Sequence, residues 1–269
     1  MKGAIIGDIV GSVYEYNPIK TTDFKIFDDR NWFLKWFDPK DVKMRFSDDS
    51  VLTIAVMYAI LQNISYEKSF RDIGQKYPEA GYGLNFFKWL YTKTPQPYNS
   101  YGNGSAMRVS PIGLAFDNIE DVLDQAYKSA VMTHNHLEGI KGAQSVAIAV
   151  FMAKNSYTKE QIKHKIIELF DYDLDRTLEK IRPDYKLDAT SQGSVPEAII
   201  AFLESSNYES AIKNAISLGG DADTQACIAG AIAEAYYKYI PQELIELMDK
   251  KLDNRLRTIV YQFYDKFAL

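Results

Sequence analysis

The sequence predicts an all-α fold, a compact orthogonal multi-helix bundle, and three observations predict it. Residues 51–63 (VLTIAVMYAILQN), 137–153 (LEGIKGAQSVAIAVFMA) and 225–240 (QACIAGAIAEAYYKYI) are apolar nearly all round, the pattern of buried helices. Strand signals are thin: KTTDFKIF (20–27) alternates weakly and reads as a short strand or a loop, and no βαβ rhythm follows it. No repeat, low-complexity tract or Gly/Ser linker divides the chain, so residues 1–269 read as one domain.

In chain order, Gly3, Gly7 and Gly11 recur every fourth position and share one face of a predicted first helix. Glycine costs helix stability, so three on one face point to tight backbone packing or close approach of a ligand. An irregular strand and turn is the alternative. Glu15 follows in GSVYE, at the end of that helix. The stretch 92–105 (TKTPQPYNSYGNGS) reads as a long loop, and long loops inside helical domains are often functional. A helix is expected to open near Ser105. Residues 159–188 are polar and amphipathic and predict peripheral helices. Gly219-Gly220 supplies a flexible break immediately before Asp221.

Composition narrows the function classes. Hydrophobic residues make up 46% and charged residues 25%, which permits a sizeable core. The net charge is −5 and no Lys/Arg run stands out, which argues against a broad grip on nucleic acid. Charges break every candidate membrane span, and no signal-peptide pattern opens the chain. The single Cys227 excludes an internal disulfide and suits a reducing compartment. Cytoplasmic location and a monomer are the expectations.

Two acidic clusters carry the chemistry. Ser47-Asp48-Asp49-Ser50 precedes the buried helix from Val51, and Asp221-Ala222-Asp223-Thr224 precedes another. Taken alone, each reads more simply as a helix cap, because Ser and Asp suit N-caps and first-turn acids suit the helix dipole. Capping does not explain two carboxylates plus a hydroxyl where the chain enters apolar surroundings. Such carboxylates repel one another and resist desolvation. A hard divalent cation removes both costs, and two clusters suggest two ions with one carboxylate bridging. Zinc is disfavoured by one Cys and three His without ligand spacing. Glu15 reads equally as a third member or as a solvated surface acid.

Gly102-Asn103-Gly104-Ser105-Ala106-Met107-Arg108 is a glycine loop of the kind that suits phosphate binding, or a plain turn with a serine cap. In Thr133-His134-Asn135-His136, Asn135 is the expected cap of the following helix and His134 a candidate ligand contact. His164 reads as solvated, and Cys227 as a small core residue rather than a nucleophile.

Together these residues resemble the ADP-ribosylglycohydrolase family. The resemblance is carried by GAIIGDIVGSVYE (3–15), FSDDS (46–50), GNGSAMRVSPIGLAF (102–116) and GGDADTQACIAGAIAEAYY (219–237), with THNH (133–136) in the right order. It runs from residue 3 to about residue 240. It implies an almost entirely α-helical fold with a binuclear Mg²⁺ or Mn²⁺ centre in a cleft. It implies that Ser47, Asp48, Asp49, Asp221, Asp223 and Thr224 are metal ligands. It implies catalytic roles for Glu15, Asp221 and Asp223, with Glu15 lying over the metal centre. It implies that the loop with Asn103, Gly104, Ser105 and Met107 receives the diphosphate and distal ribose, and that His134 lies near the adenosine end. Ser47 and Ser50 stand where threonine is commoner, and both keep the hydroxyl. Residues 17–45 carry no alignable motif, which leaves recognition of the leaving group open.

The resemblance implies hydrolysis of the bond between ADP-ribose and an acceptor, either a protein side chain such as arginine or serine or a small ADP-ribose conjugate. The rival readings are a non-catalytic ADP-ribose-binding relative and another two-metal hydrolase such as a phosphohydrolase.

Overall fold

The computed structural model describes residues 1–26 and 44–267. Along the chain the helices are α1 (Lys2–Gly11), α2 (Asp48–Gln62), α3 (Tyr66–Gly74), α4 (Leu84–Tyr91), α5 (Gly104–Met107), α6 (Ser110–Ala115), α7 (Ile119–Val131) and α8 (Leu137–Lys154). They continue as α9 (Lys159–Phe170), α10 (Leu178–Ile181), α11 (Ser191–Leu203), α12 (Tyr208–Ile216), α13 (Ala222–Tyr237), α14 (Gln242–Lys251) and α15 (Asn254–Phe267). Among the described residues there is no strand. The one pairing of extended chain is an isolated antiparallel bridge between Gly102 and Thr190. The all-α expectation holds.

The helix that is apolar all round must lie where it has no solvent face. That helix is α13, buried continuously from Ala222 to Ala235 and packed by α1, α8, α11 and α12. Amphipathic helices form the outer layer. In α3 the buried residues Tyr66, Ser69, Phe70 and Ile73 make one stripe. In α9 they are Ile162, Ile166 and Phe170, behind a Thr158/Gln161 capping box.

The glycine face of α1 does what the sequence suggests. A Cβ on Gly3 would stand 2.4 Å from the Gly230 carbonyl oxygen, on Gly7 2.1 Å from that of Ala226, and on Gly11 2.5 Å from that of Ala222. The α1 positions rise by four as the α13 positions fall by four. The two helices are therefore antiparallel and in backbone contact along the whole of α1, a separation that any side chain on this face forbids.

Several expectations need correction. Residues 20–26 form no strand, and Phe27 lies outside the described residues, as do 27–43 of the region without a motif. The first helix stops at Gly11, so Glu15 lies in the turn beyond it. The helix predicted over 225–240 runs from Ala222 and stops at Tyr237, where Lys238 caps it in the left-handed region with φ 54°. Of 159–188 only α9 and the one-turn α10 are helical. The segment between them buries Tyr172 and Leu174 as an irregular strap. No described helix is long and apolar enough to cross a membrane.

Candidate functional site

The α1–α13 register decides what meets at the floor of the cleft. A Cβ on Gly11 would stand 2.5 Å from the Asp223 Cα, so the last turn of α1 abuts the first turn of α13. Asp8, on that turn of α1, thereby reaches the Asp223 carboxylate. The first turn of α2 brings in Asp48 and Asp49 beside them. Carboxylate oxygens of Asp8, Asp49 and Asp223 all lie within 4.8 Å of one another, and all three residues are buried. Residues separated by more than two hundred positions thus share one small volume.

The capping reading of the FSDDS cluster holds, and the cap residue also faces the acids. Ser47 is the N-cap of α2, its hydroxyl accepting from the Asp49 N–H at 3.2 Å. The same hydroxyl lies 2.7 Å from Asp8 Oδ1 and 3.1 Å from Asp49 Oδ2. In the second cluster Asp221 is the N-cap of α13 but its side chain caps nothing. It instead accepts from Asn103 Nδ2 at 2.8 Å. Thr224 donates from Oγ1 to Asp49 Oδ2 at 3.2 Å, which ties the two clusters together. The left-handed Gly219, φ 64°, turns the chain into this arrangement.

Asp8 is the member of the buried acidic trio that sequence reasoning passed over. It accepts from the Ser47 N–H at 2.9 Å, the Ser50 N–H at 3.1 Å and the hydroxyls of Ser47 and Ser50. Both of its oxygens are occupied, so it anchors the α2 N-terminus. Asp49 differs, because its Oδ1 is buried and has no hydrogen-bond partner among the described residues. The available signal for Asp8 was a lone carboxylate inside an apolar helix beside a glycine face.

The electrostatics of the floor are unbalanced. Among the described residues none of Asp8, Glu15, Asp48, Asp49, Asp221 and Asp223 is in an ion pair. Burial, and then the charge of Asp8, pushes Asp48 up to about 7. Burial first and neighbouring carboxylates second hold Asp49 and Asp223 well above the usual range. Burial also raises Asp8, Asp221 and Glu15, the last with a smaller contribution from Asp221. An orphaned buried oxygen among hard, uncompensated carboxylates fits a divalent cation of the Mg²⁺ type.

These acids floor a cleft of about 510 Å³, a volume suited to a small-molecule ligand. Its lining includes Glu15, Asp48, Asp49, Asp221, Asp223 and Thr224 together with Asn103, Gly104, Met107 and His134. Residues 100–105 are fastened to the start of α11. The Asn103 N–H donates to the Ala189 carbonyl at 2.9 Å, the Ser191 N–H to that of Tyr101 at 2.8 Å, and the Ser191 hydroxyl to that of Gly102 at 2.8 Å. Asn103 Nδ2 also reaches Ser194 Oγ at 3.1 Å, so one amide links the loop, α11 and the acidic floor.

Not every candidate points inward. The Ser105 hydroxyl donates to the Gly139 carbonyl at 2.7 Å and lies outside the cleft lining. The helix there opens one residue earlier than expected, with Asn103 as N-cap. Asn135 does not cap α8. His136 does, with Nδ1 accepting from the Glu138 N–H at 3.1 Å, because Asn135 accepts from the Asn99 N–H and holds the preceding loop. His164 is exposed and pairs with Glu160, and Cys227 is buried with Sγ against the Met107 carbonyl. The lining also includes Tyr98 and Phe86, which no motif marked, and Arg108, which lies in GNGSAMR but was given no role.

An all-helical protein whose cleft pairs a cation-ready acidic floor with a glycine loop is a small-molecule-handling enzyme scaffold by class. The chain belongs to the ADP-ribosylglycohydrolase family, whose pattern matches residues 1–268. It is 29% identical over 309 residues to ADP-ribosylhydrolase ARH3 of Homo sapiens, a match covering 88% of this chain and 84% of that one. It is 28% identical over 313 residues to ADP-ribosylhydrolase ARH3 of Gallus gallus, covering 88% and 84%. A solved structure titled "ADP-ribosylglycohydrolase-related protein complex" superposes with a TM-score of 0.72 at 23% identity, covering 99% of this chain and 97% of that one, a likeness of fold.

Proposed function

We propose that the chain hydrolyses the glycosidic bond between ADP-ribose and an acceptor, a protein side chain such as arginine or serine or a small ADP-ribose conjugate. Two divalent cations, Mg²⁺ or Mn²⁺, would be held by Ser47, Asp48, Asp49, Asp221, Asp223 and Thr224. The observation that carries this reading is the buried, partnerless Asp49 Oδ1 among carboxylates that no described cation neutralises. Bound there, the cations would supply Lewis acidity toward water and sugar hydroxyls and would neutralise the floor.

The chain's own groups supply the rest. Carboxylates aimed at the sugar stabilise positive charge growing at its anomeric carbon, as in other glycoside hydrolyses. Glu15 lies at the cleft wall with its proton affinity raised by burial, which suits it to order a water and exchange a proton with it. Asn103 holds Asp221 in one orientation through its amide. Gly104 lets ligand oxygens approach the backbone closely.

Asp48→Ala and Asp223→Ala should each lower ADP-ribose release from defined conjugates by roughly a thousandfold or more, a loss of about 4 kcal/mol in barrier stabilisation. Full metal-dependent release by both variants would sink the assignment. The mass of the product separates the rivals: intact ADP-ribose marks a glycohydrolase, and phosphate or a cleaved diphosphate marks a phosphohydrolase. Binding of ADP-ribose without turnover marks a reader.

A further inference from the structure

Arg108 is fully buried, yet no carboxylate pairs with it among the described residues. Its Nη2 donates to the Ser129 carbonyl at 2.8 Å and to Thr133 Oγ1 at 3.0 Å. Its Nε and Nη1 find no partner among the described residues, and its guanidinium lies 4.3 Å from the Phe70 ring centroid. Burying a cation for two neutral oxygens and a ring face is expensive, and a methionine would fill the space at lower cost.

The use of that charge is legible one bond further on. Thr133 Oγ1 accepts from Arg108, so its single hydrogen points elsewhere. His134 Nδ1 stands 2.7 Å away. If Nδ1 accepts, the ring proton of the neutral imidazole sits on Nε2. The Nε2–Cε1 edge faces the glycine loop: a Cβ on Gly104 would lie 3.1 Å from Nε2 and 3.3 Å from Cε1. Both residues line the cleft.

We infer that Arg108 and Thr133 are positioning residues that fix the ring proton of His134 on Nε2, so that His134 offers an N–H donor across the bare backbone of Gly104 to an oxygen of the bound ligand. This deepens the ADP-ribose reading of the cleft and rests on it for the ligand, though not for the proton. Burial, and then the Arg108 charge, holds His134 well below its ordinary value, which keeps the ring a single-proton donor at pH 7. One competing network exists. The Tyr98 hydroxyl also reaches Thr133. Were it to take the Thr133 hydrogen, His134 would carry its proton on Nδ1. The two networks differ in one observable.

Long-range proton–nitrogen correlation at neutral pH reads that observable directly, with His134 assigned by its loss in His134→Gln. The expected wild-type spectrum has an unprotonated, accepting Nδ1 and a protonated Nε2. Thr133→Val should give a mixture of tautomers, and Thr133→Ser should restore one. In calorimetry with ADP-ribose, Thr133→Val should weaken binding roughly three- to tenfold, the worth of one hydrogen bond, with Thr133→Ser near wild type. A wild-type proton on Nδ1, or a tautomer unmoved by Thr133→Val, overturns the inference without any variant needing to turn over substrate. A wild-type protein with the Nε2–H tautomer that ignores ADP-ribose overturns the glycohydrolase reading and the donor role, and leaves the proton lock standing.

Discussion

At the floor of the cleft, carboxylates crowd together with no ion pair among the described residues, whereas Arg108 in the same lining is a buried guanidinium that makes no ion pair there either, although the Asp48 charge reaches it. The two regions place like problems under opposite solutions. Arg108 is answered from within the protein in part, by the Phe70 face, a carbonyl and a threonine hydroxyl, with its Nε and Nη1 left without a partner among the described residues. The floor is not satisfied from within, and burial raises its carboxylates instead. A charge answered by the fold is pre-formed and indifferent to solution conditions. A charge left unanswered makes the fold depend on what binds there. The floor should therefore respond strongly to divalent cations and to pH, and the Arg108 region to neither.

The largest test is Asp49→Ala. In the wild type, Mg²⁺ or Mn²⁺ at a hundred times its dissociation constant adds about 2.7 kcal/mol of stability, roughly 5–10 °C in Tm for a chain of this size. The variant should lose that rise, while its metal-free Tm stays level or increases because one like charge has gone. A steep fall in the metal-free Tm would mean that Asp49 is structural and the contrast false. The pH dependence has the same origin. The folded Asp48 titrates at about 7 against an ordinary 3.8, so between those values the folded chain holds more protons than the unfolded one. Metal-free stability should then fall as pH rises through that window, with Tm higher at pH 5 than at pH 8. Saturating metal favours the ionised carboxylates and should flatten or reverse the slope. Calorimetric scans at both pH values, with and without metal, check the sign.

The floor was more legible in the sequence than the Arg108 region, for a physical reason. Paired carboxylates where the chain turns into a buried helix are anomalous on their own terms, so FSDDS and GGDADT stand out without knowledge of contacts. The recurrence of Gly3, Gly7 and Gly11 foretold close packing, although not that α13 was the partner. Asp8 was missed because a single acid in an apolar run resembles any helix interruption, and its four donors come from α2, forty positions away. Arg108 was invisible because nothing in GNGSAMR distinguishes a buried arginine from an exposed one. Asn135 looked the better cap than His136 by composition, and a contact to Asn99, specified only in three dimensions, decided otherwise. Local chemistry announces itself in sequence, and charge compensation across helices does not.

Gly7→Ala separates the two regions by a smaller margin. Its Cβ would stand 2.1 Å from a backbone oxygen, which cannot rotate away, so α1 and α13 must part. Overpacking of this kind costs about 2 kcal/mol or more, a Tm loss of roughly 4–8 °C. Because the seam sets the approach of Asp8 to Asp223, metal affinity should drop about tenfold, as when supporting residues around a metal are disturbed. The His134 tautomer should not change, since Arg108 and Thr133 lie off the seam. A shifted tautomer would mean that the two regions form one network.

The smallest effect, and the sharpest for the Arg108 region, belongs to Gly104→Ala. Gly104 has no left-handed backbone to preserve, and the nearest atoms to its would-be Cβ are the ring edge of His134 at 3.1 and 3.3 Å. A ring edge can give by a few tenths of an ångström, so folding should be unharmed. Removing a glycine from the unfolded ensemble contributes about 0.4–1 kcal/mol in the variant's favour, and Tm should hold or rise by a few degrees. The methyl group, however, fills the gap through which Nε2–H would reach a ligand oxygen. ADP-ribose binding should weaken by roughly tenfold or less, within the range of one hydrogen bond. Metal affinity measured without ADP-ribose should match the wild type, because Asn103 keeps its bonds to Asp221 and Ser194. If metal affinity falls together with ADP-ribose binding, Asn103 transmits strain from the loop to the acids, and the two regions must be treated as one coupled site.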